Sequence, residues 1–115
     1  MKEIDQLQSL FARFRDDRDW KQFHTPKNLA AAISIEVAEL QELFLWKTDE
    51  EVASEQEVLR PRVEEEIADV FAYVLAFADA YNIDLAEAFQ QKMKHNELKY
   101  PSEKVKGSAK KYNQY

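Results

Sequence analysis

Two segments of this chain repeat one pattern of apolar and acidic residues, and the pattern strongly constrains the fold. Apolar side chains recur at offsets of 0, 4, 7 and 11 in residues 33–44 and again in residues 63–74. Acids stand at offsets 3 and 6 in both segments, as Glu36, Glu39, Glu66 and Asp69. Because an α-helix has about 3.6 residues per turn, this spacing places an apolar stripe beside the acids. The pattern predicts two helices that pack through their stripes and bring four carboxylates to one rim.

Carboxylates packed this closely repel one another and lose hydration, so such a group is usually neutralised by a cation. The group contains no Cys and no His, and a ligand set made only of oxygen atoms suits a hard cation. We therefore expect Mg²⁺ at the four acids, with Mn²⁺ as a substitute. The periodicity alone leaves a second interpretation open, in which the acids are ordinary residues at the edge of two solvated helices.

The composition predicts an all-α fold. The chain has one Gly and three Pro in 115 residues and is rich in Ala, Leu, Glu, Gln and Lys. We expect a single domain over residues 1–115, shaped like a four-helix bundle with one additional short helix. The long helices are predicted at residues 3–18, 26–46, 61–81 and 85–99, and the short one within 48–59. Residues 101–115 are expected to form a flexible tail. The third long helix is apolar nearly all round, which predicts a central position or a subunit contact.

Several functional classes do not fit the sequence. A net charge of −6 and a pI near 5.0 argue against binding a nucleic acid polymer, which needs a basic face. No apolar run approaches the roughly 20 residues that cross a membrane. The segment 1–5 lacks the apolar core of a signal peptide, and the absence of Cys is compatible with a reducing compartment. We expect a cytoplasmic protein.

Aromatic and cationic residues supply candidate ligand contacts. Trp20 and Trp46 flank the second long helix, and each is either a core or interface residue or a stacking platform for a flat ligand. His24 lies close to Trp20 in sequence. Lys92, Asn96 and Lys99 share one face of the last long helix, which is either solvated or, beside a metal, suited to phosphate oxygens.

A set of short motifs in a fixed order identifies a relationship that no single motif shows. The motifs are Arg18-Asp19-Trp20 with Phe23-His24, Pro26-Lys27-Asn28-Leu29, Glu36–Leu40, Leu45-Trp46-Lys47, Glu65–Val70, Lys92-Met93, Asn96, Tyr100-Pro101, and residues 106–112. With these, almost the whole chain resembles the all-α, MazG-like nucleoside triphosphate pyrophosphohydrolases, and most closely their dCTP pyrophosphatase-like branch.

The resemblance implies an enzyme that cleaves (deoxy)nucleoside triphosphates between the α and β phosphates. The products would be a nucleoside monophosphate and pyrophosphate, and the role would be nucleotide-pool housecleaning with a dCTP-like preference. It implies that Glu36, Glu39, Glu66 and Asp69 bind Mg²⁺. We take Glu39 as the group that accepts the proton of the attacking water. Family members assemble as dimers or as dimers of dimers, which implies a homodimer or homotetramer here.

The resemblance also assigns residues to the substrate. Trp20, His24 and Trp46 would form the base pocket, and the contacts to phosphates or sugar would come from Lys92, Asn96, Lys99 and Tyr100. Two positions depart from relatives. Phe11 stands where some carry His, which leaves the base preference open. Lys99 stands where relatives often carry Arg, and a lysine offers charge without a bidentate fork.

Two other functions remain open from the sequence. One is a catalytically silent helical oligomer that binds nucleotides or other partners. The other is a metal-dependent phosphohydrolase that releases single phosphates. The complete set of four acids favours the pyrophosphohydrolase over the silent oligomer, because a degenerate relative is expected to have lost at least one acid.

Overall fold

The regular secondary structure of the described chain is entirely helical. The computed structural model describes residues 2–109, which contain α-helices and one 3-10 helix and no strand. In chain order these are α1 (Lys2–Asp17), the 3-10 helix (Lys21–Phe23), α2 (Pro26–Glu42), α3 (Asp49–Ser54), α4 (Gln56–Ala80), α5 (Leu85–Lys99) and α6 (Ser102–Val105). The predicted all-α fold is therefore confirmed. No helix within 2–109 combines the length and apolar character that crossing a membrane requires. Part of the predicted tail, residues 110–115, lies outside the described residues.

The chain forms two compact units, Met1–Ile83 and Asp84–Tyr115. In the first unit α4 packs mainly against α2 and also against α1 and α3, as the apolar character of its sequence predicts. The best buried apolar residues lie on α2 and α4 and are Leu29, Leu75, Ala76 and Ala78. The second unit contains α5 and α6. Packing of α2 on α4 is the feature that positions the acidic residues.

Three helices begin at a side-chain cap. In each, a side-chain oxygen accepts a hydrogen bond from the backbone N–H three residues later, at 3.1–3.2 Å. The caps are Thr25 for α2, Thr48 for α3 and Asp84 for α5. Such bonds satisfy backbone donors that the first turn of a helix leaves without a partner.

Helix bounds differ from the sequence predictions around α3. The second long helix ends at Glu42, not at Trp46, because residues 43–46 form turns and Trp46 adopts a left-handed φ of 65°. The third long helix begins at Gln56, so that Pro61 lies inside α4 and does not start it. Pro61 has no N–H, and α4 accepts this loss of one hydrogen bond in its second turn. The short helix α6 was not predicted.

The end of α1 places Trp20 beside the core. The Trp20 N–H donates to the Arg15 carbonyl at 3.1 Å, and Asp19 takes the left-handed conformation with φ 55°. This is the bond pattern of a Schellman motif, which stops a helix and turns the chain sharply. The Arg15 side chain is buried and forms ion pairs at 2.8 Å with Asp16 and with Asp79 of α4. Together these contacts fix the end of α1 against α4.

Candidate metal centre and adjoining aromatic cavity

Three acidic side chains meet where α2 packs on α4. Glu36 and Glu39 lie on α2 and Glu66 lies on α4, and each contributes a carboxylate oxygen within 4.8 Å of the other two. Oxygens on opposite sides of an octahedral Mg²⁺ are about 4 Å apart, since each bond is about 2.1 Å long. The spacing is therefore compatible with one shared cation. We call these three residues the acidic triad.

Two oxygens of the acidic triad are buried and have no hydrogen-bond donor among residues 2–109. They are Oε2 of Glu36 and Oε2 of Glu66. Burial, followed by the proximity and charge of Glu39 and then by the charges of Asp69 and Glu66, raises the pKa of Glu36. Burial and the charges of Glu39 and Asp69 raise the pKa of Glu66. Buried polar groups normally have a hydrogen-bond partner. The described protein atoms provide none for these two oxygens, and a divalent cation would be a fitting partner.

Asp69 lies near the acidic triad but outside it. Its carboxylate is exposed and is not part of the set of oxygens within 4.8 Å. Its charge nevertheless raises the pKa of both Glu36 and Glu66, and it borders the same cavity as Glu36. Of the four predicted metal ligands, the structure brings three together and places the fourth beside them.

The raised pKa values predict how the metal-free protein responds to pH. A carboxyl whose pKa is higher in the folded state binds its proton more tightly there, so folding is favoured at low pH. This advantage is lost as pH rises from the ordinary glutamate pKa, about 4.3, through the raised folded value of Glu36. Above that value the charged carboxylate destabilises the fold. Glu36→Gln removes this charge and is expected to melt at a higher temperature than the wild type near pH 7.5 in EDTA.

Thermal unfolding in EDTA at pH 4 and pH 7.5 checks the prediction. The difference in Tm between Glu36→Gln and the wild type should be small at the lower pH and should grow towards the higher pH. The matched control is Glu65→Gln on α4, since Glu65 is exposed and its carboxylate lies outside the acidic triad. A difference in Tm that does not change with pH would contradict the assigned repulsion.

An aromatic cavity of about 610 Å³ adjoins the acidic triad. It lies between α1 and α4 and is lined by Leu7, Leu10, Phe11, Phe14, Trp20, Glu36, Ala68, Asp69, Phe71, Ala72, Tyr73 and Leu75. The ring of Trp20 meets Phe14 edge-on at 5.6 Å between centroids, and the Arg18 guanidinium lies 3.9 Å from the Phe14 centroid. An apolar, aromatic recess that ends at two carboxylates can hold a flat ring while a charged group reaches the acids.

His24 lies next to this aromatic cavity. Its ring stacks on Phe11 at 5.9 Å and lies 6.4 Å from Tyr73, both of which line the cavity. Burial and the charge of Arg15 lower the pKa of His24, so its imidazole is neutral at neutral pH. The Nδ1 atom of His24 is buried and has no hydrogen-bond partner among the described residues.

Sequence reasoning did not single out Tyr73. Burial and then the charges of Glu36, Asp69 and Glu39 raise the pKa of its phenol, which shows how near it is to the acids. A signal was present, because Tyr73 follows Glu66 by seven residues and Asp69 by four and therefore shares their face of α4.

The other predicted substrate contacts belong to other segments of the chain. Trp46 follows α2 in the turn segment, is 91% exposed and does not line the aromatic cavity. Lys92, Asn96 and Lys99 lie on α5 in the second unit, and Tyr100 follows that helix directly. The amide Nδ2 of Asn96 is 3.9 Å from the sulfur of Met93. Contacts of these residues with a substrate stay predictions.

Comparison with known proteins shows the family of this chain. The sequence model of the MazG-like family matches residues 31–114, well over half of the chain. The chain belongs to the MazG-like family. The resemblance drawn from the motifs is thereby confirmed, and the matched region contains the acidic triad and Asp69.

Individual relatives of this MazG-like chain carry names that concern nucleotides. It is 41% identical over 111 residues to "dCTP pyrophosphatase 1" of Bos taurus and 40% identical to the protein of that name of Homo sapiens. Each alignment covers 95% of this chain, which spans 66% and 65% of the length of those relatives, just under two thirds. A crystal structure of a pyrophosphatase from Archaeoglobus fulgidus is 49% identical with a TM-score of 0.76, covering 86% of this chain and 93% of that one.

Proposed function

We propose that this chain hydrolyses (deoxy)nucleoside triphosphates between the α and β phosphates, with Mg²⁺ held by Glu36, Glu39, Glu66 and Asp69. The observation that carries the proposal is the acidic triad, with its buried and unpartnered oxygens, at the end of the aromatic cavity. The names of the relatives support the same reaction and a dCTP-like preference. Such an enzyme would remove unwanted nucleotides from the precursor pool.

The aromatic cavity would receive the nucleobase. A volume of about 610 Å³ is ample for a nucleoside, and the Trp20 ring offers a face or an edge for contact. The neutral His24 and the phenol of Tyr73 are the nearest groups that could form hydrogen bonds with a base or sugar. With the base there, the phosphates extend towards the carboxylates of Glu36 and Asp69.

The acids carry the chemistry of the reaction. Bound Mg²⁺ would neutralise phosphate oxygens and lower the pKa of a water molecule. Glu39 is the exposed member of the acidic triad, so it can accept the proton of the attacking water and return it to solvent. One water is consumed, its oxygen bonds to phosphorus, and the bridging bond between the α and β phosphates breaks. Glu36 and Glu66, whose Oε2 atoms are buried, would hold the cation.

Turnover of a panel of nucleoside and deoxynucleoside triphosphates tests the proposal. We expect a monophosphate and pyrophosphate with Mg²⁺, and no product in EDTA. Orthophosphate without pyrophosphate would indicate the phosphohydrolase that releases single phosphates. A folded protein that turns over no nucleotide would indicate the silent binding module. A dimer or dimer of dimers and a cytoplasmic location remain part of the proposal.

A further inference from the structure

The four predicted metal ligands divide between two recesses of the first unit. Glu36 and Asp69 line the aromatic cavity. Glu39 and Glu66 instead line a second recess of about 430 Å³, which we call the polar cleft; its other lining residues are Glu42, Leu43 and Arg62. A ligand that reaches all four acids therefore extends from an aromatic recess into a polar one. A nucleotide has the same order of apolar base and charged phosphates.

Arg62 is the cation of the polar cleft. It lies on α4 four residues before Glu66, so both side chains emerge on one face, one turn apart. Its charge lowers the pKa of Glu66 against the opposing effects of burial and the other acids. Arg62 nevertheless forms no salt bridge with any residue in 2–109.

A neighbouring arginine on the same helix provides the contrast. Arg60 lies within 3.8 Å of Glu57 and 3.9 Å of Glu64, both of which belong to its own helix. The guanidinium of Arg60 therefore forms pairs within α4, whereas Arg62 lines the polar cleft and forms no such pair with the residues in 2–109. A guanidinium with two parallel donors matches the oxygens of a phosphate group.

We propose that Arg62 positions the β and γ phosphates, and hence the departing pyrophosphate, in the polar cleft. This inference rests on the proposed function and adds to it the orientation of the bound nucleotide. The base lies in the aromatic cavity, the bond to be broken lies at the acidic triad, and the pyrophosphate lies beside Arg62. Negative charge grows on the pyrophosphate as the bridging bond breaks, so Arg62 assists departure as well as binding.

Product inhibition separates this role from a general structural one. Arg62→Met removes the charge but keeps an unbranched side chain. We expect the inhibition constant of pyrophosphate to rise about 10- to 100-fold, because this is the usual cost of losing a hydrogen bond to a charged group. The inhibition constant of dCMP should stay within about twofold, because dCMP carries no β phosphate. Arg62→Lys should fall between Arg62→Met and the wild type, and Arg60→Met should match the wild type.

Calorimetry with magnesium pyrophosphate measures the same contact without turnover. One outcome is that the wild type cleaves between the α and β phosphates while Arg62→Met binds pyrophosphate as tightly as the wild type does. This outcome overturns the role of Arg62 and leaves the proposed function intact. Equal losses for dCMP and pyrophosphate also overturn it, since they show general damage to the site. A wild type that binds pyrophosphate through Arg62 but cleaves no nucleotide overturns the proposed function alone.

Discussion

Replacing Glu66 with glutamine is expected to lower kcat/KM for dCTP by at least about 100-fold and to weaken Mg²⁺ binding in parallel. Removal of one preorganised electrostatic group from an active site commonly costs a factor of about 10² to 10³. Glu66 lies on the central helix α4, and its Oε2 atom is buried with no donor in the described part of the chain, so a cation would be a fitting partner for this oxygen. The metal-free variant should be at least as stable as the wild type, because burial and the charges of Glu39 and Asp69, which raise the pKa of Glu66, no longer act on a carboxylate there.

Steady-state rates at increasing Mg²⁺, together with calorimetry of Mg²⁺ binding, check this expectation. Glu65→Gln is the matched control, because Glu65 precedes Glu66 on α4, is exposed and lies about 100° further round the helix. The control should retain wild-type rates and Mg²⁺ affinity. Wild-type Mg²⁺ affinity in Glu66→Gln would remove Glu66 from the set of metal ligands.

The acidic triad could be predicted from the sequence because it depends on one strong regularity. The helical period fixes which residues share a face, and the phase of Glu36 and Glu39 relative to their apolar stripe matches that of Glu66. Once α2 packs on α4 through those stripes, the carboxylates have to meet. The packing is looser than the pattern indicates, since Val37 is 46% and Ile67 is 50% exposed in the described chain.

The bounds near α3 could not be predicted in the same way, because local signals there conflict. The apolar period continues through Phe44, and no Gly marks the place where Trp46 takes a left-handed φ. Pro61 is a frequent first residue of a helix, but Leu59 and Val63 border a common groove with Val52 of α3, and α4 extends back to Gln56. Packing between helices determines where the helices in this region begin and end, and a local sequence pattern does not reveal that packing.

Arg62 and Tyr73 show a different limit of prediction from the sequence. Both are in phase with Glu66 on α4, at four residues before it and seven after, so the period places them on the correct face. Their importance comes from which recess each one borders, namely the polar cleft for Arg62 and the aromatic cavity for Tyr73. The helical period gives a direction around one axis, and only the neighbouring helices define the recesses.

Replacing Glu39 with glutamine is expected to separate chemistry from metal binding. Acceptance of a proton by a positioned side chain contributes about 10² to 10⁴ to a rate, and glutamine cannot accept one. We therefore expect kcat to fall by about that factor, with KM changed only a few-fold. Glu39 is exposed, and neither of its oxygens is among the buried, unpartnered ones, so Mg²⁺ affinity should fall much less than in Glu66→Gln.

The comparison of Glu39→Gln with Glu39→Asp tests whether Glu39 accepts the proton of the attacking water. Aspartate keeps a carboxylate and withdraws it by one methylene, so it should restore part of kcat. Glutamine should lose the rate, while calorimetry shows Mg²⁺ still bound. Near-normal turnover of Glu39→Gln with Mg²⁺ bound would show that another group accepts the proton. Asp69 would be the next residue to test, because it is exposed and lies beside the same acids.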